Sequence, residues 1–467
     1  MKNKETQKPT NLEEMLRNRF DMSRQDTGFC DRFSHMLVTV PHNAVALERL
    51  VPRGLREWWP WGSALSPKLL SLALLTADGE GGVYAYETEY LPWVVRQKGV
   101  FSVNGREAKV QATLVSNAFN RLLWRVEIEG LEDFSVVLSG RTGASGVNHI
   151  VKPLADGVKS VFITGVKQNK KRHNPQVDGT RPHWVLRSAQ SKTAEVDGNA
   201  YRLVCKPELC GGKHVIEAHI EYDNVLLGRE DEYKPLPLPV ADVEKIARER
   251  AAEWTAMLGS AAEGRGDRIK KIRCAAGLIR CGYQWRATDK RPALTPLYTS
   301  ASDTFSWLFF WDSLFACASV LRFNPRMAES SIRALYSTQR KDGCVATATL
   351  ENVLNDTFYP QAPLLGWALV QLWASGKASS GFISEMLKKE EELFGWFTRT
   401  QDHDADGLPE WRFSGCPADD SPLYDQYVIL NGTGTTCTYL PPVASVGLAS
   451  YLIMDAKCMA FLYAQNG

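Results

Sequence analysis

Residues 401–425 bring together the side chains of this chain that could do acid–base chemistry. The stretch reads QDHDADGLPEWRFSGCPADDSPLYD and carries seven carboxylates among Gly, Pro and aromatic residues. Clustered carboxylates beside tryptophan suit glycoside hydrolysis. A carboxylic acid can protonate the glycosidic oxygen, and an aromatic ring can cover the apolar face of a sugar. A solvated acidic loop with a chance tryptophan has the same composition, so the rest of the chain must decide between the two interpretations.

Composition and charge narrow the class of protein. The chain has 467 residues, of which 23% are charged and 44% hydrophobic, as is typical of a soluble globular protein. The net charge of +2 gives no reason to expect nucleic acid or an anionic membrane as a partner. No apolar run looks long enough to span a bilayer, and the first twenty residues lack the apolar segment of a signal peptide. We therefore expect a cytoplasmic protein without nucleic acid or membrane partners, and the oligomeric state stays open.

The ten cysteines are scattered and lie mostly in apolar segments. No CxxC pair and no Cys/His cluster occurs, so the sequence does not predict zinc. Reduced cysteines in the cytoplasm fit this distribution best.

The first half of the chain predicts strands. Residues 1–28 are polar and are expected to form a loose tail, whereas residues 29–233 carry β signals. Trp124, Val126 and Ile128 alternate with charged residues, which is typical of a half-buried strand. Asn-Gly at 104–105 and Asp-Gly at 197–198 predict hairpin turns between strands. Many short strands joined by such turns predict an N-terminal β-sandwich.

The second half predicts helices. The Pro-rich residues 234–239 are expected to form a linker, followed by a helical domain over residues 234–467. Asp242 and Asn324 stand at expected helix N-caps, with Pro325 at the first turn of the second helix. That helix should run to about Arg340, and later ones should cover about 362–374, 382–400 and 443–464. Helices in series with long, motif-rich loops predict a toroid whose loops gather at one end and carry the site.

Five loop motifs follow one another in an order that resembles a known family. They are FFWDS at 309–313, QRKDG at 339–343, QAPLLGWA at 361–368, DHDADGLPEW at 402–411 and SGCPADDSPLYD at 414–425. The order resembles the catalytic domain of glycoside hydrolase family 63 and of its trehalase-like and mannosylglycerate-hydrolase-like relatives, over roughly residues 235–467. The resemblance implies a six-hairpin (α/α)6 toroid behind an N-terminal β-sandwich. It also implies an inverting glycosidase that acts on α-glucosides or related oligosaccharide, trehalose-like or mannosylglycerate-like substrates.

The resemblance also implies catalytic residues. The family's general acid maps to Asp419, and Asp420 is the alternative because residues 416–418 stand where the family has a single residue. An inverting enzyme needs a second carboxyl about 6.5–9.5 Å away as general base. The motifs end about half way through such a toroid, and no base is found in this chain. We therefore expect a toroid that lacks its second half and an activity impaired by that loss.

Four residues are candidates for substrate binding. Trp311 and Asp312 are similar to the family's first-subsite pair, in which the ring supports a sugar and the carboxylate accepts hydrogen bonds from its hydroxyls. Gln361 and Trp411 are further candidates. The competing interpretations are a helix cap for Asp312 after a core tryptophan, and a plain helix-start residue for Gln361. Trp367 is expected to pack in the core.

Asp402, Asp404 and Asp406, followed by Gly407, copy the first half of a calcium loop, D-x-D-x-D-G. Phe413 stands where an EF-hand needs glutamate, so a Ca²⁺ site of another kind and an ordinary Asp-rich turn are the two interpretations. No cofactor is otherwise required. The competing function is a non-catalytic carbohydrate-binding protein derived from such an enzyme, and the third alternative is a helical scaffold without a sugar site.

Overall fold

The computed structural model describes residues 18–20, 26–29, 36–48, 50–52, 68–118, 121–142, 149–162, 180–226, 238, 242–258, 271, 283–288, 291–298, 308–322, 324–337, 339–345, 348–349, 361–411, 443–444 and 446–466. Along these residues, strands come first and most of the helices follow, as the alternation and helical periods predict. Residues 234–239 lie outside the described ranges except for Leu238, so the linker stays a prediction.

The strands of the first half are β1 (Asn18–Phe20), β2 (Asp26–Phe29), β3 (Met36–Pro41), β4 (Ala46–Leu47), β5 (Leu50–Pro52), β6 (Lys68–Thr76), β7 (Gly79–Gly82), β8 (Tyr84–Leu91), β9 (Val94–Val103), β10 (Arg106–Ala118), β11 (Arg121–Glu129), β12 (Ser135–Arg141), β13 (His149–Leu154), β14 (Gly157–Phe162), β15 (Thr180–Arg187), β16 (Ser191–Asp197), β17 (Ala200–Cys205), β18 (Glu208–Cys210) and β19 (Lys213–Leu226). The second half holds the helices α1 (Val243–Leu258), α2 (Phe310–Val320), α3 (Pro325–Tyr336), α4 (Leu365–Ala374), α5 (Ser380–Thr400) and α6 (Val446–Asn466), with the short strands β20 (Tyr283–Thr288), β21 (Arg291–Tyr298), β22 (Leu308–Phe309), β23 (Ala348–Thr349), β24 (Glu410–Trp411) and β25 (Val443–Ala444).

Two large antiparallel sheets share one hydrophobic core. The first runs β1-β8-β9-β10-β11-β19-β15-β14-β13 with β18 on β19, and the second runs β16-β17-β12-β6-β4 with β7 on β6. Trp124 and Val126 of the first sheet pack in the same core as Leu72 and Leu138 of the second. Apolar residues at every second position therefore turn inward, as the alternation in β11 predicts.

The two predicted hairpin turns occur, one of them shifted by a residue. Asn104 and Gly105 join β9 to β10 with φ of 49° and 82°, which are the positive values that a tight hairpin turn needs. In the second hairpin Asp197 pairs with Ala200, so the turn residues are 198 and 199. Gly198 has φ of 60°, and the turn is therefore placed by the glycine rather than by the aspartate.

Part of the range predicted as a loose tail is paired in sheets. β1 pairs with β8, and β2 pairs with β3. These segments are three and four residues long, which is too short for a period of two to be detected in a polar stretch. Their strand form comes from ladder hydrogen bonds to a partner strand, which is distant in sequence for β1 and is the next strand for β2.

Helix α1 follows its predicted pattern but packs with the strands. The Asp242 carboxylate accepts a hydrogen bond from the Lys245 backbone N–H at 3.0 Å, as an N-cap should. The Trp254 ring lies 6.4 Å from the Trp93 ring. By its contacts the chain forms two compact units, one of Met1–Trp285 with Ser302–Ser306 and one of Arg286–Ala301 with Trp307–Gly467. The predicted domain ranges stay a prediction.

The helices of the second unit enclose a core of their own, in which Phe310, Leu335, Leu369 and Phe382 are fully or almost fully buried. The predicted cap of α3 is confirmed, because Asn324 Oδ1 accepts a hydrogen bond from a first-turn backbone N–H at 3.1 Å.

Helix α3 ends at Tyr336, four residues before the predicted end. The side chain of Gln339 explains the early end. Its Nε2 donates to the backbone oxygens of Lys389 and Gly343 and draws the chain away from the helix axis.

Helix α6 corrects the expectation that no segment could span a bilayer by length and hydropathy. Within α6, the 20 residues Val446–Gln465 are long and apolar enough to cross a bilayer, with a mean hydropathy of 1.3. Leu448, Leu452 and Leu462 of this helix nevertheless pack in the core of the helical unit, whereas Ile453 on another face is 58% exposed. A core helix of a soluble protein passes the same test, so the finding is weak evidence for a membrane.

Candidate functional site

The first turn of α2 brings two predicted substrate-binding residues together. Phe310 is fully buried and anchors the helix start, and Trp311 and Asp312 follow it. The backbone N–H of Trp311 is among the first four of the helix, which have no partner within the helix. It donates to Gln361 Oε1 at 3.0 Å. Gln361 and Trp311 therefore lie side by side although they are 50 residues apart, and Asp312 occupies the same turn.

Three aromatic rings extend from this point. The Trp311 and Phe315 ring centroids are 6.2 Å apart, and those of Phe315 and Trp367 are 5.3 Å apart. Phe315 is 46% exposed, and Trp311 and Trp367 are partly buried against the core. We call these three residues the aromatic row. Such a row can cover the apolar face of a sugar ring.

Sequence reasoning missed Phe315, although its spacing gave a signal. It stands four residues after Trp311 on one helix, and residues at this spacing lie on the same face. Trp367 packs against the core as expected, but only in part.

The QRKDG motif at 339–343 follows α3 and packs against α5. Gln339 Nε2 donates to the Gly343 backbone oxygen at 3.0 Å and to the Lys389 backbone oxygen at 2.7 Å. Gly343 has φ of 98°, and a Cβ placed there would lie 2.1 Å from the Glu392 backbone oxygen. The motif therefore fixes the loop against α5, and its glycine is required by both conformation and space.

The Asp-rich loop after α5 closes on its own backbone. The Asp402 carboxylate accepts hydrogen bonds from the N–H groups of Asp406 (3.1 Å) and Gly407 (2.9 Å), and Asp406 Oδ1 accepts one from Leu408. Ala405 and Gly407 have φ of 60° and 89°. These contacts are typical of an Asp-rich turn, in which short carboxylates replace backbone acceptors.

Glu410 adds an almost fully buried carboxylate to this loop. It accepts hydrogen bonds from the His403 backbone N–H at 2.9 Å and from His403 Nδ1 at 2.7 Å. Desolvation opposes ionisation of Glu410, but the hydrogen bonds from His403 outweigh it and lower the pKa of Glu410 below its ordinary value. Glu410 is therefore ionised at neutral pH.

The predicted metal ligands are gathered only in part. Carboxylate oxygens of Asp402, Asp404 and Glu410 lie within 4.8 Å of one another, so Glu410 takes the place expected for Asp406. Carboxylate oxygens are the ligands that Ca²⁺ prefers, but exposed acidic groups also cluster without an ion. The calcium site stays a prediction.

The candidates for the general acid and the side chain of Trp411 lie outside the part of the chain that the structure describes. Asp419 and Asp420, the candidates for general acid, lie between Trp411 and Val443, where the structure describes nothing. The backbone of Trp411 belongs to β24, which pairs with β25, but its side chain is not described. The distance from the general acid to the aromatic row is therefore untested.

Comparison with known proteins finds one family model that matches the helical half of the chain. Residues 306–461 match the model of the mannosylglycerate hydrolase MGH1-like glycoside hydrolase domain. This part of the chain is similar to that glycoside hydrolase domain. The match spans the aromatic row, Gln361, the Asp-rich loop and the segment of Asp419 and Asp420, and the resemblance inferred from the loop motifs is thereby confirmed. A sequence search against curated proteins finds no match.

Several solved structures are similar to most of this chain. A bacterial glucoamylase in complex with acarbose is similar over 96% of this chain and 67% of its own, with a TM-score of 0.50 and 11% identity. A putative kojibiose phosphorylase from the human microbiome is similar over 97% of this chain and 63% of its own, with a TM-score of 0.49 and 10% identity. A GH92 family glycosyl hydrolase is similar over 95% of this chain and 62% of its own, with a TM-score of 0.47 and 12% identity. The similarity to the glucoamylase confirms the predicted fold class, in which a strand-rich first half precedes the helices. The chain spans about two thirds or less of the length of these structures.

Proposed function

We propose that the chain is an inverting glycoside hydrolase that acts on α-glucosides or related α-glycosides of the oligosaccharide, trehalose or mannosylglycerate type. The family match over residues 306–461 carries the proposal. The contact between Trp311 and Gln361 supports it, because it places two predicted sugar-binding residues at one point of the glycoside hydrolase domain.

The described residues supply the binding part of the reaction. The aromatic row covers the apolar face of the terminal sugar. Asp312 accepts hydrogen bonds from two sugar hydroxyls. Gln361 Oε1 is committed to the Trp311 backbone N–H, which leaves its Nε2 to donate to a sugar oxygen. A ring stacked on one side and polar groups at its edge fix the orientation of the sugar.

The acid of the reaction is Asp419, with Asp420 as its alternative. The acid donates its proton to the glycosidic oxygen while a water molecule attacks the anomeric carbon from the opposite face. A second carboxylate takes a proton from that water, so the bond breaks with inversion. The described residues do not identify this base. The cytoplasmic location and the calcium site are part of the proposal on sequence grounds alone.

The test is hydrolysis of a panel of α-glucosides, trehalose and mannosylglycerate by the purified chain, with the anomer of the product followed by NMR. We expect the α-glycoside to yield a β-anomer first, and Asp419→Asn to lower kcat by about 10²–10⁴. Asp420→Asn is the matched variant, because it makes the same substitution one residue away.

Each outcome assigns a role. A large loss in Asp420→Asn instead of Asp419→Asn moves the acid to Asp420. Retention of configuration rejects the inverting mechanism. Sugar binding that depends on Trp311 without any turnover indicates the carbohydrate-binding alternative, and neither binding nor turnover on the whole panel rejects the proposed substrates.

A further inference from the structure

Two fully buried carboxyl groups face each other in the core of the helical unit. Glu390 of α5 and Asp455 of α6 are both 0% exposed. Among the residues that the structure describes, neither has a cationic partner within 4 Å. An ionised carboxylate buried without a counterion costs much free energy. Two ionised carboxylates at this place would repel each other as well.

The surrounding elements supply neutral hydrogen-bond donors. Tyr336 Oη at the end of α3 donates to Glu390 Oε2. The first turn of α4 faces the pair from the other side, where Gly366 N–H donates to Asp455 Oδ1 at 2.7 Å and the Leu365 backbone forms a hydrogen bond with Glu390. The positive end of the α4 dipole therefore points at the two carboxyl groups.

These donors leave one oxygen of each carboxyl without a partner. Glu390 Oε1 and Asp455 Oδ2 are buried and receive no hydrogen bond from any donor group among the described residues. The two side chains are nevertheless within hydrogen-bonding reach of each other. Carboxylates only accept, so such a bond needs a proton on one of them. A single proton between the two groups satisfies both oxygens and leaves one negative charge instead of two.

The electrostatic surroundings favour this state. Burial and the charge of Asp455 raise the pKa of Glu390 well above its ordinary value, and burial raises the pKa of Asp455 to about 6. Tyr336 from α3 and Cys458 from α6 are the titratable groups that interact with the pair among the described residues, and burial raises the pKa of both above their ordinary values. Neither of them brings a positive charge.

The same hydrogen bonds fix one end of the segment that carries Gln361. Four residues separate Gln361 from Gly366 along the chain, and Ala362 and Leu364 among them are buried. At one end Gln361 holds the first turn of α2 through the Trp311 N–H. At the other end Gly366 is held by Asp455. The place of Gln361 is thus set by contacts at both ends of a short segment.

We propose that Glu390 and Asp455 share one proton and act as positioning residues that clamp α5 and α6 onto the first turn of α4. Through Gln361, the clamp holds Trp311 and the aromatic row in place. The effect on sugar binding rests on the proposed function, whereas the shared proton does not.

The raised pKa values of Glu390 and Asp455 determine how the stability of the fold should change with pH. Both groups bind protons more tightly in the folded chain than at their ordinary pKa of 4.5 and 3.8. The contribution of this pair to the free energy of unfolding is therefore largest at acid pH and is lost as the pH rises through the folded-state pKa values. The part due to Asp455 is lost between about pH 4 and 6, and the part due to Glu390 is lost progressively at higher pH.

The first experiment measures the thermal unfolding midpoint from pH 5 to pH 9. Glu390→Gln carries a permanent neutral donor toward Asp455, so we expect it to flatten the decline with pH that the wild type shows. Asp455→Asn should also flatten it, and provides a second variant if the first fails to fold. Glu392→Gln makes the same change at an exposed position of the same helix and should follow the wild type.

An infrared spectrum of the wild type at pH 7.5 supplies a direct readout. We expect the C=O band of a protonated carboxyl group, absent from Glu390→Gln and retained in Glu392→Gln. Parallel pH profiles of wild type and Glu390→Gln, or a wild type without the band, would overturn the shared proton.

The second experiment tests positioning with two glycines at opposite ends of α4. A Cβ at Gly366 would lie 2.5 Å from Asp455 Oδ1, whereas one at Gly376 would meet nothing within 4 Å. We expect Gly366→Ala to raise KM about tenfold for the best glycoside of the panel, with little change in kcat, and Gly376→Ala to leave KM unchanged.

The outcomes of the two experiments separate the two proposals. Equal KM in both glycine variants would overturn the positioning role. A wild type that binds no glycoside would count against the proposed function, and the pH profiles and the infrared band would still decide the shared proton.

Discussion

Replacing Gly343 by alanine should destabilise the helical unit more than a glycine substitution at an ordinary turn. Gly343 has φ of 98°, a conformation that an L side chain rarely adopts. A left-handed backbone costs a non-glycine residue about 1–2 kcal/mol. The new Cβ would also lie 2.1 Å from the Glu392 oxygen and 2.7 Å from the Glu392 carbonyl carbon. Both atoms belong to the backbone of α5 and cannot turn aside as a side chain would.

The two costs add. Forcing a methyl group into a packed site typically costs about 1–3 kcal/mol. With the conformational cost, Gly343→Ala should lower the free energy of unfolding by about 2–5 kcal/mol. Gly376→Ala is the matched control, because Gly376 has φ of 64° and open space around it. Its loss should stay near the conformational cost of about 1–2 kcal/mol.

Urea unfolding followed by circular dichroism at the helical band measures the loss of unfolding free energy in both variants with one assay. The difference between the variants, about 1–3 kcal/mol, measures the clash with α5. Equal losses in the two variants would show that the Gly343 loop does not approach the Glu392 backbone, and the structural role assigned to the QRKDG motif would then be wrong. A larger loss in Gly376→Ala would have the same meaning.

Three further predictions concern the loops of the same unit. Gln361→Leu should lower the free energy of unfolding by about 1–3 kcal/mol, because it leaves the Trp311 N–H without an acceptor. Gln361→Glu keeps an acceptor and should cost less in the same urea unfolding assay. His403→Ala should destabilise the chain at pH 7, and the difference from wild type should shrink as the pH falls below 4.5, the ordinary pKa of Glu410, because the lowered pKa of Glu410 contributes stability only while Glu410 is ionised. A difference that stays constant throughout the acid titration contradicts this. If Ca²⁺ binds the Asp-rich loop, Ca²⁺ at about 100 times its Kd should raise stability by about 2.7 kcal/mol over EDTA, and Asp404→Asn should reduce the rise; equal melting with Ca²⁺ and EDTA contradicts the site.

Features fixed by neighbours in sequence could be predicted. The caps at Asp242 and Asn324 depend on a side chain and a backbone N–H three residues away, and both occur as expected. The alternation around Trp124 and Val126 needs only the period of a strand. The order of the loop motifs also sufficed to predict the similarity to a glycoside hydrolase domain, because each motif keeps its local spacing.

Features fixed by distant contacts could not be predicted. The role of Gly343 depends on the backbone of Glu392, and the pairing of Glu390 with Asp455 depends on how α5 and α6 pack. Periodicity identified α1 as an amphipathic helix but could not show that Trp254 packs on Trp93. The partner of a buried surface depends on the whole fold and leaves no local signal.

The place of β19 sets the order in which the β-rich half can fold. This strand is the last of its sheet in sequence, yet it lies between β11 and β15. Roughly 80 residues separate β11 from β19, which takes about 4–16 s to synthesise. During that time β11, and later β15, are without their partner strand β19, and pairing across such a loop is slow. The β-rich half should therefore acquire its fold late on the ribosome, and a fragment that stops before Lys213 should aggregate rather than fold.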